Sequence, residues 1–324
     1  MLRKNLLASL LVAALAASTS TLADPEGPAV RIHRYATTDH SWGVNAYWLE
    51  SDQGIVLVDA LLLGSDVRPL IGAIRSTGKP LAGILITHPH VDHFGGVPLL
   101  REAFGPVPVY STGETATRIE RVLSQARAGA WSKPFGDEFP TVAVVPDHQP
   151  ASGEEFSLAG MRFRFRDLGP MEAGDNAVVE NLDTGALFTG DATVFRAMVF
   201  VGEGRSCRVL KGLAVLGRDY PASTIAYSGH YDPAPLHTVL EGNIAQVRAM
   251  RKLMAESLAA SDSRAADGAL KETVRADLAA RMANLLQGHL TYGFGAQVAA
   301  YELNMPGLES ELAKESSTGE ACQD

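Results

Sequence analysis

Cysteine is nearly absent: Cys207 and Cys322 are the only two in 324 residues. One pair cannot staple a small scaffold, and no CxxC spacing offers a thiolate metal site. Cys322 lies in a polar tail, so two free or loosely paired thiols are expected, although an oxidising compartment would permit a bridge. A GxSxG nucleophile elbow is missing too. Positive charge is scarce, with 28 Lys and Arg against 37 Asp and Glu, a formal net charge of −9. That balance argues against nucleic acid or an anionic membrane as partner and says little about small-molecule substrates. Long apolar runs are lacking, and the one near the start, LLASLLVAALAA, is too short and too soon interrupted for a comfortable membrane span.

What is there at the start has a different meaning. Arg3 and Lys4 precede the apolar run, and Thr21-Leu22-Ala23 ends it with small residues. This is the pattern of a secretory leader over residues 1–23, with an uncleaved anchor as the alternative. The mature chain is then expected to be periplasmic or secreted and free of the membrane. Losing Arg3 and Lys4 would take the formal charge from −9 to −11.

Hydrophobic residues at 46% are enough to bury one large core. After a lead-in over 24–34, AYWLE and IVLVDALLL flank a polar turn and read as a hairpin. Helical spacing covers Val67–Ser76, and LAGILIT at 81–87 reads as a buried strand. A helix over Val97–Phe104, a strand over Val107–Tyr110 and a helix over Thr115–Ala130 follow. Residues 131–140 form a loop in which Trp131 and Phe135 are candidates to touch a ligand. MRFRFRDL alternates apolar and basic residues, so one face should be wet. NAVVENLDTGALFTGD is a second hairpin, turning at Asp183-Thr184-Gly185. STIAYSGH is a further short strand. After residue 235 the pattern is helical, over Leu236–Ala260, Gly268–Gln287 and Thr291–Leu303. This region could cap the site, pair two chains into a homodimer, or simply pack on the outside. The polar residues 310–324 are expected to be disordered.

The chemistry concentrates in THPHVDH. His88, His90, Asp92 and His93 fall within six residues, directly after a buried strand. Three of the nine histidines in the chain lie in this window, so a chance surface cluster is a poor explanation. Gly95-Gly96 then lets the backbone turn closely into the next helix.

These residues resemble the HxHxDH motif of the metallo-β-lactamase-fold hydrolases. The resemblance runs from about Val30 to Pro235 and takes in VLVDA with Asp59, LFTGDA with Asp191, and SGH with His230. It implies an α/β fold, a four-layer αββα sandwich over residues 24–235 with the active site on one edge, followed by a helical extension over 236–309. It also implies two metals, Zn²⁺ first, with Mn²⁺ or Fe²⁺ as alternatives. His88 and His90 would bind the first, Asp92, His93 and His230 the second, and Asp191 would bridge them. Asp92 and Asp191 are also the candidate catalytic acids. Asp59 would accept a hydrogen bond from a ligand imidazole and fix its tautomer, unless it merely caps a strand end.

One position departs from the common pattern. The stretch LGPMEAGDN places Glu172 where most members of the family have a third histidine for the first metal. Three readings compete: Glu172 is itself a ligand, it is a supporting acid beside a single metal, or His148 substitutes. The first is favoured, since two histidines and a glutamate are a well-used zinc set and secreted alkylsulfatases of this fold also place a Glu here. His148, His33, His40, His237 and His289 read as ordinary surface histidines, although His40 and Trp42 could line the mouth.

Two bridged cations lower the pKa of a shared water and so supply hydroxide near neutral pH. The expected activity is hydrolysis of a small ester, lactone, lactam or sulfate ester by that hydroxide. Arg196, Arg205, Arg208 and Lys211 follow Asp191 and could bind an anionic group, or simply be solvated. The alternatives are an iron-loaded oxidoreductase of the same fold and a non-catalytic metal-binding protein.

Overall fold

A computed structural model describes residues 30–129, 131–260, 262–266, 269–319 and 322. The leader expected over residues 1–23 lies outside them. Among the described residues, no helix is long and apolar enough to cross a membrane.

Strands β1 (Arg31–Ala36), β2 (Asn45–Glu50) and β3 (Ile55–Val58) form an antiparallel meander. Helix α1 (Gly64–Ser76) returns the chain so that β4 (Leu81–Leu85) lies parallel to β3. Two helices, α2 (Val91–Phe94) and α3 (Val97–Phe104), lead to β5 (Val109–Tyr110), parallel to β4, which completes this sheet in the order β1-β2-β3-β4-β5. Helix α4 (Gly113–Ala128) follows, opened by Thr112, whose hydroxyl accepts from the Thr115 amide.

The second sheet holds β6 (Glu155–Leu158), β7 (Met161–Gly169), β8 (Asn176–Asn181) and β9 (Ala186–Gly190) as an antiparallel run. After helix α5 (Ser206–Asp219), β10 (Ile225–Ser228) joins parallel to β9, and β11 (Ala234–Pro235) closes the edge. Helices α6 (Leu236–Ala259), α7 (Glu272–Leu285), α8 (Ala296–Val298) and α9 (Met305–Thr318) end the chain, with a π-helical stretch over Ala299–Asn304 between the last two.

The apolar clusters define four layers. Leu49, Val56 and Leu85 of the first sheet pack against Phe163, Phe165 and Val179 of the second. Outside the first sheet, α1, α3 and α4 bury Leu70, Leu100 and Ile119. Outside the second, α5, α6 and α7 bury Leu213, Met250 and Leu278 against Val178 and Leu187. The α/β class and the αββα sandwich expected from sequence are therefore the observed architecture. In β7 the alternation works as expected, with Phe163 and Phe165 inside while Arg162 and Arg164 pair with Asp183 and Glu180 on the wet face.

Several elements correct the sequence reading. Within the lead-in over 24–34 begins a strand, β1, whose mixed basic and apolar residues hide an edge that is wet on one side. Arg208 and Lys211 stand on helix α5, an element the sequence reading did not place; its Val209, Leu213 and Leu216 keep helical spacing and are buried. The segment expected to be helical from Thr291 begins only at Ala296, because Gly293 and Gly295 take positive φ. The tail expected to be disordered over 310–324 is helical through Thr318. Glu311 accepts from the Ser206 amide at 2.7 Å, and Glu315 pairs with Arg251 at 2.8 Å. Cys207 and Cys322, expected as free or loosely paired thiols, are disulfide-bonded across 115 residues of sequence. Helix α9 delivers the tail to α5, a proximity that local pattern does not reveal.

A bridge closing so long a loop restricts the unfolded chain strongly. Cys207→Ser should lower unfolding free energy by about 2–4 kcal/mol, read from urea denaturation of oxidised protein. An unchanged midpoint would mean that the bridge does not form.

Candidate metal centre

Strand ends deliver the polar side chains to one edge of the sandwich. Asp59 follows β3, Thr87 and His88 follow β4, and His90 precedes α2, which carries Asp92 and His93. Asp191 follows β9, His230 follows β10, and Glu172 lies in the turn between β7 and β8. The strands are buried and paired, so each residue leaves a rigid rim. Close approach there needs missing side chains. A Cβ on Gly96 would fall 2.0 Å from the Ala60 carbonyl oxygen, and one on Gly229 would fall 2.3 Å from Asp191 Oδ1.

All seven candidate ligands converge. His88, His90, Glu172 and Asp191 form one group, and Asp92, His93 and His230 form another, each with its ligand atoms within 4.8 Å of one another. Glu172 Oε2 lies 3.2 Å from His90 Nδ1, and Glu172 Oε1 lies 3.4 Å from His88 Nε2. Asp191 reaches both groups, with oxygens 3.8 Å from His88 Nε2, 3.4 Å from His93 Nε2 and 3.1 Å from His230 Nε2. Asp92 Oδ2 stands 3.2 Å from His230 Nε2.

The other nitrogen of each imidazole is engaged outside the cluster. Asp59 Oδ2 is 2.9 Å from His93 Nδ1. It also accepts from the Thr87 hydroxyl at 2.9 Å, which leaves the Thr87 oxygen to accept from His88 Nδ1 at 2.9 Å. The Trp42 carbonyl accepts from His230 Nδ1 at 2.9 Å, and Glu203 holds His90 Nε2 at 3.0 Å. These contacts point Nε2 of three rings and Nδ1 of His90 into the cluster. Sequence reasoning missed Thr87 and Glu203. Thr87 carries a local signal as the residue between the strand and the first histidine. Glu203 has none, since it comes from a loop 113 residues away. Asn176 was missed as well. It donates to Glu172 Oε1 at 2.8 Å and accepts from the Met171 and Ala173 amides at 3.2 Å, fixing the turn and the carboxylate together.

The inward atoms fit divalent cations. His88 Nε2, His93 Nε2, Glu172 Oε2 and Asp191 Oδ1 are buried without a hydrogen-bond partner among the described residues. Four such atoms facing one space would each be costly to desolvate unless an ion satisfies them. Imidazole and carboxylate are suitable donors for zinc and its neighbours.

Charge makes the same demand. Burial alone would drive the pKa of His93 down, but Asp191, Asp92 and Asp59 more than reverse this and hold it well above the ordinary value. Burial likewise opposes protonation of His230, and Asp191 with Asp92 carries it to about 9. His90 is also raised against burial, by Glu172 and then Glu203. His88, whose burial dominates with His93 adding to it, is held well below. Without a metal, protons on these rings balance the carboxylates.

The cluster opens into a cleft of about 510 Å³. Trp42 and Trp131 line it, and their rings meet edge-on at 5.5 Å. Phe135 stands behind Trp42 and is buried. His40 packs on Phe135 and is absent from the cleft wall. The helical C-terminal region supplies Tyr292, Phe294, Glu302 and Leu303 to the wall. His148 bridges to Tyr110 and stacks on its ring at 4.5 Å, so it does not take the place of Glu172. His33 pairs with Glu50, His237 binds the Ala222 carbonyl, and neither these nor His289 enter the cluster.

Fold and site together define a sandwich with a histidine and carboxylate metal centre on its edge. The chain belongs to the metallo-beta-lactamase superfamily, whose profile matches residues 41–243. It is 32% identical to a hydroxyacylglutathione hydrolase of Alkalilimnicola ehrlichii over 57% of this chain and 61% of that protein. It is 42% identical to a probable metallo-hydrolase of Streptococcus pyogenes over 25% of this chain and 34% of the other. The chain thus spans about a third to three fifths of the length of these relatives. A metallo-beta-lactamase family protein from Thermus thermophilus shares the fold, with a TM-score of 0.62 and 22% identity over 89% of this chain and 94% of that one.

Two outcomes are expected. Metal analysis of protein purified without added metal should find close to two ions per chain, and Glu172→Ala should lose about one; two retained ions would remove Glu172 from the ligand set. Neighbouring carboxylates raise the pKa of His90, His93 and His230 against burial, so these rings hold protons more tightly than a free imidazole and must give them up to coordinate. Calorimetric zinc titration at pH 7 in two buffers of different ionisation heat should therefore show proton release, with affinity falling as pH is lowered. No net proton release would contradict the assignment.

Proposed function

We propose that this protein is an exported, metal-dependent hydrolase acting on a small ester, lactone, lactam or sulfate ester. The observation that carries the reading is the convergence of two ligand groups on one space, with four buried polar atoms left without partners among the described residues. In this reading His88, His90 and Glu172 hold one divalent cation and Asp92, His93 and His230 the other, with Asp191 between them. Zinc is the first candidate, and the extra carboxylate at Glu172 makes Mn²⁺ or Fe²⁺ more competitive than an all-histidine site would. Bound cations would activate a water as nucleophile and polarise the bond under attack.

The chain's own residues do the rest. Asp59, Thr87, the Trp42 carbonyl and Glu203 keep each imidazole in one tautomer and one orientation. Asp92 faces both the imidazoles and the cleft, so its carboxylate is placed to orient the attacking water and accept its proton. Trp42, Trp131 and Phe294 line the approach to the reacting bond with apolar surface. Export is supported by the leader pattern of residues 1–23 together with the Cys207–Cys322 bridge, which an oxidising compartment would preserve.

A hydrolysis panel on metal-replete protein tests the reading, spanning nitrocefin, aryl esters, lactones, aryl sulfates and phosphoesters. Activity is expected on one class, and His90→Ala should reduce kcat/KM by more than about a hundredfold. Activity on no class, or full activity in the variant, would overturn it.

A further inference from the structure

The cleft is built from aromatic and aliphatic walls with acidic groups at its lip, and no Lys or Arg is among the described residues that line it. We infer that its substrate is an uncharged or cationic acyl compound with an apolar body, and that anionic substrates are disfavoured. This takes the cleft as the substrate site of the proposed hydrolase and narrows the reactions that site would perform.

Three observations converge. The first is the apolar grip. Trp42 and Trp131 meet at 5.5 Å, Trp131 and Phe294 at 6.1 Å, and Phe200 stands 6.1 Å from the His90 ring across the centre. Such a channel suits a chain or ring of carbon beside the bond to be cut.

The second is the fate of the nearby cations. Arg205 pairs with Glu203, and Arg196 lies over the Phe195 ring at 5.0 Å. Arg208 and Lys211 face a separate surface pocket beside Cys207 and Cys322. The basic residues that follow Asp191 in sequence therefore do not form an anion site in the cleft. A sulfate, a phosphate or a carboxylate tail would find no guanidinium or ammonium there to replace its hydration.

The third is the charge of the floor. Asp59, Asp92, Glu172 and Asp191 would together balance the charge of two divalent cations, leaving no surplus positive charge to draw an anion inward. Glu302 on the cleft wall is exposed and repels one. Hydroxyacylglutathione, the substrate named for one relative, carries the carboxylates of its tripeptide and matches this cleft poorly.

The chemistry balances without a further reactant. Water adds to the acyl carbon, the bond to the leaving oxygen breaks, and that oxygen receives the proton that the water gives up.

Matched 4-nitrophenyl esters test the inference on metal-loaded protein: hexanoate, 6-(trimethylammonio)hexanoate and the monoester of adipate. The neutral and cationic esters should exceed the anionic one in kcat/KM by at least about tenfold, and Glu302→Lys should narrow that gap several-fold. Binding is read separately from tryptophan fluorescence with 4-phenylbutan-1-ol, trimethyl(4-phenylbutyl)ammonium and 4-phenylbutane-1-sulfonate. The sulfonate should bind at least about tenfold more weakly, and Trp131→Phe should shrink the response. Adipate cleaved as fast as hexanoate, or the sulfonate bound as tightly as the alcohol, would overturn the inference and leave the hydrolase reading standing. The expected order of binding with no ester cleaved would keep the cleft's charge preference but overturn the assignment of an acyl ester as substrate.

Discussion

The buried carboxylate of Asp59 is the constraint on which the metal edge depends. It sits at the end of β3 with φ near 59°, a left-handed conformation that Asp tolerates better than most residues. From there it accepts from the Thr87 amide and hydroxyl and from His93, and through the Thr87 hydroxyl it also governs His88. One group thus orients a histidine in each half of the cluster. Removing it would free two rings at once and leave Thr87 donors unpaired in a dry interior.

The second requirement is neutrality. Buried carboxylates at this density cannot persist unless protons or metal ions neutralise them. Glu172 raises that demand, and Asn176 is the device that manages it. By donating to Oε1, Asn176 leaves Oε2 as the carboxylate oxygen without a hydrogen-bond partner among the described residues. The turn that carries Glu172 is itself tied down by the same amide side chain, so the acid and its support move as one unit.

Much of this is legible in the chain. The THPHVDH window, Asp59, Asp191 and His230 each follow a short apolar strand, and a strand that ends in a polar residue presents it at a rim. The hairpins and most helices are readable from period alone. The failures share a cause, which is dependence on distant sequence. Strand β1 pairs its register with β2, and its mixed composition means little until that partner is known. Glu203 reaches His90 from a loop more than a hundred residues on. Cys322 finds Cys207 only because α9 packs beside α5, held there by Arg251 with Glu315 and by Ser206 with Glu311. Polarity in the tail suggests disorder, whereas its polar groups make tertiary ion pairs and caps.

One wall of the cleft has a separate origin from its floor. Every candidate ligand lies within the span matched by the superfamily profile, which stops at residue 243. Tyr292, Phe294, Glu302 and Leu303 lie beyond it, fastened to the core by the Val201 amide on Asn304 and by the Tyr292 hydroxyl on the Met198 carbonyl. The candidate ligands and one wall of the cleft are therefore encoded in different stretches of one gene. Drift or recombination in the last eighty or so codons could retarget such an enzyme to a new compound while its inorganic core passes unchanged to its descendants.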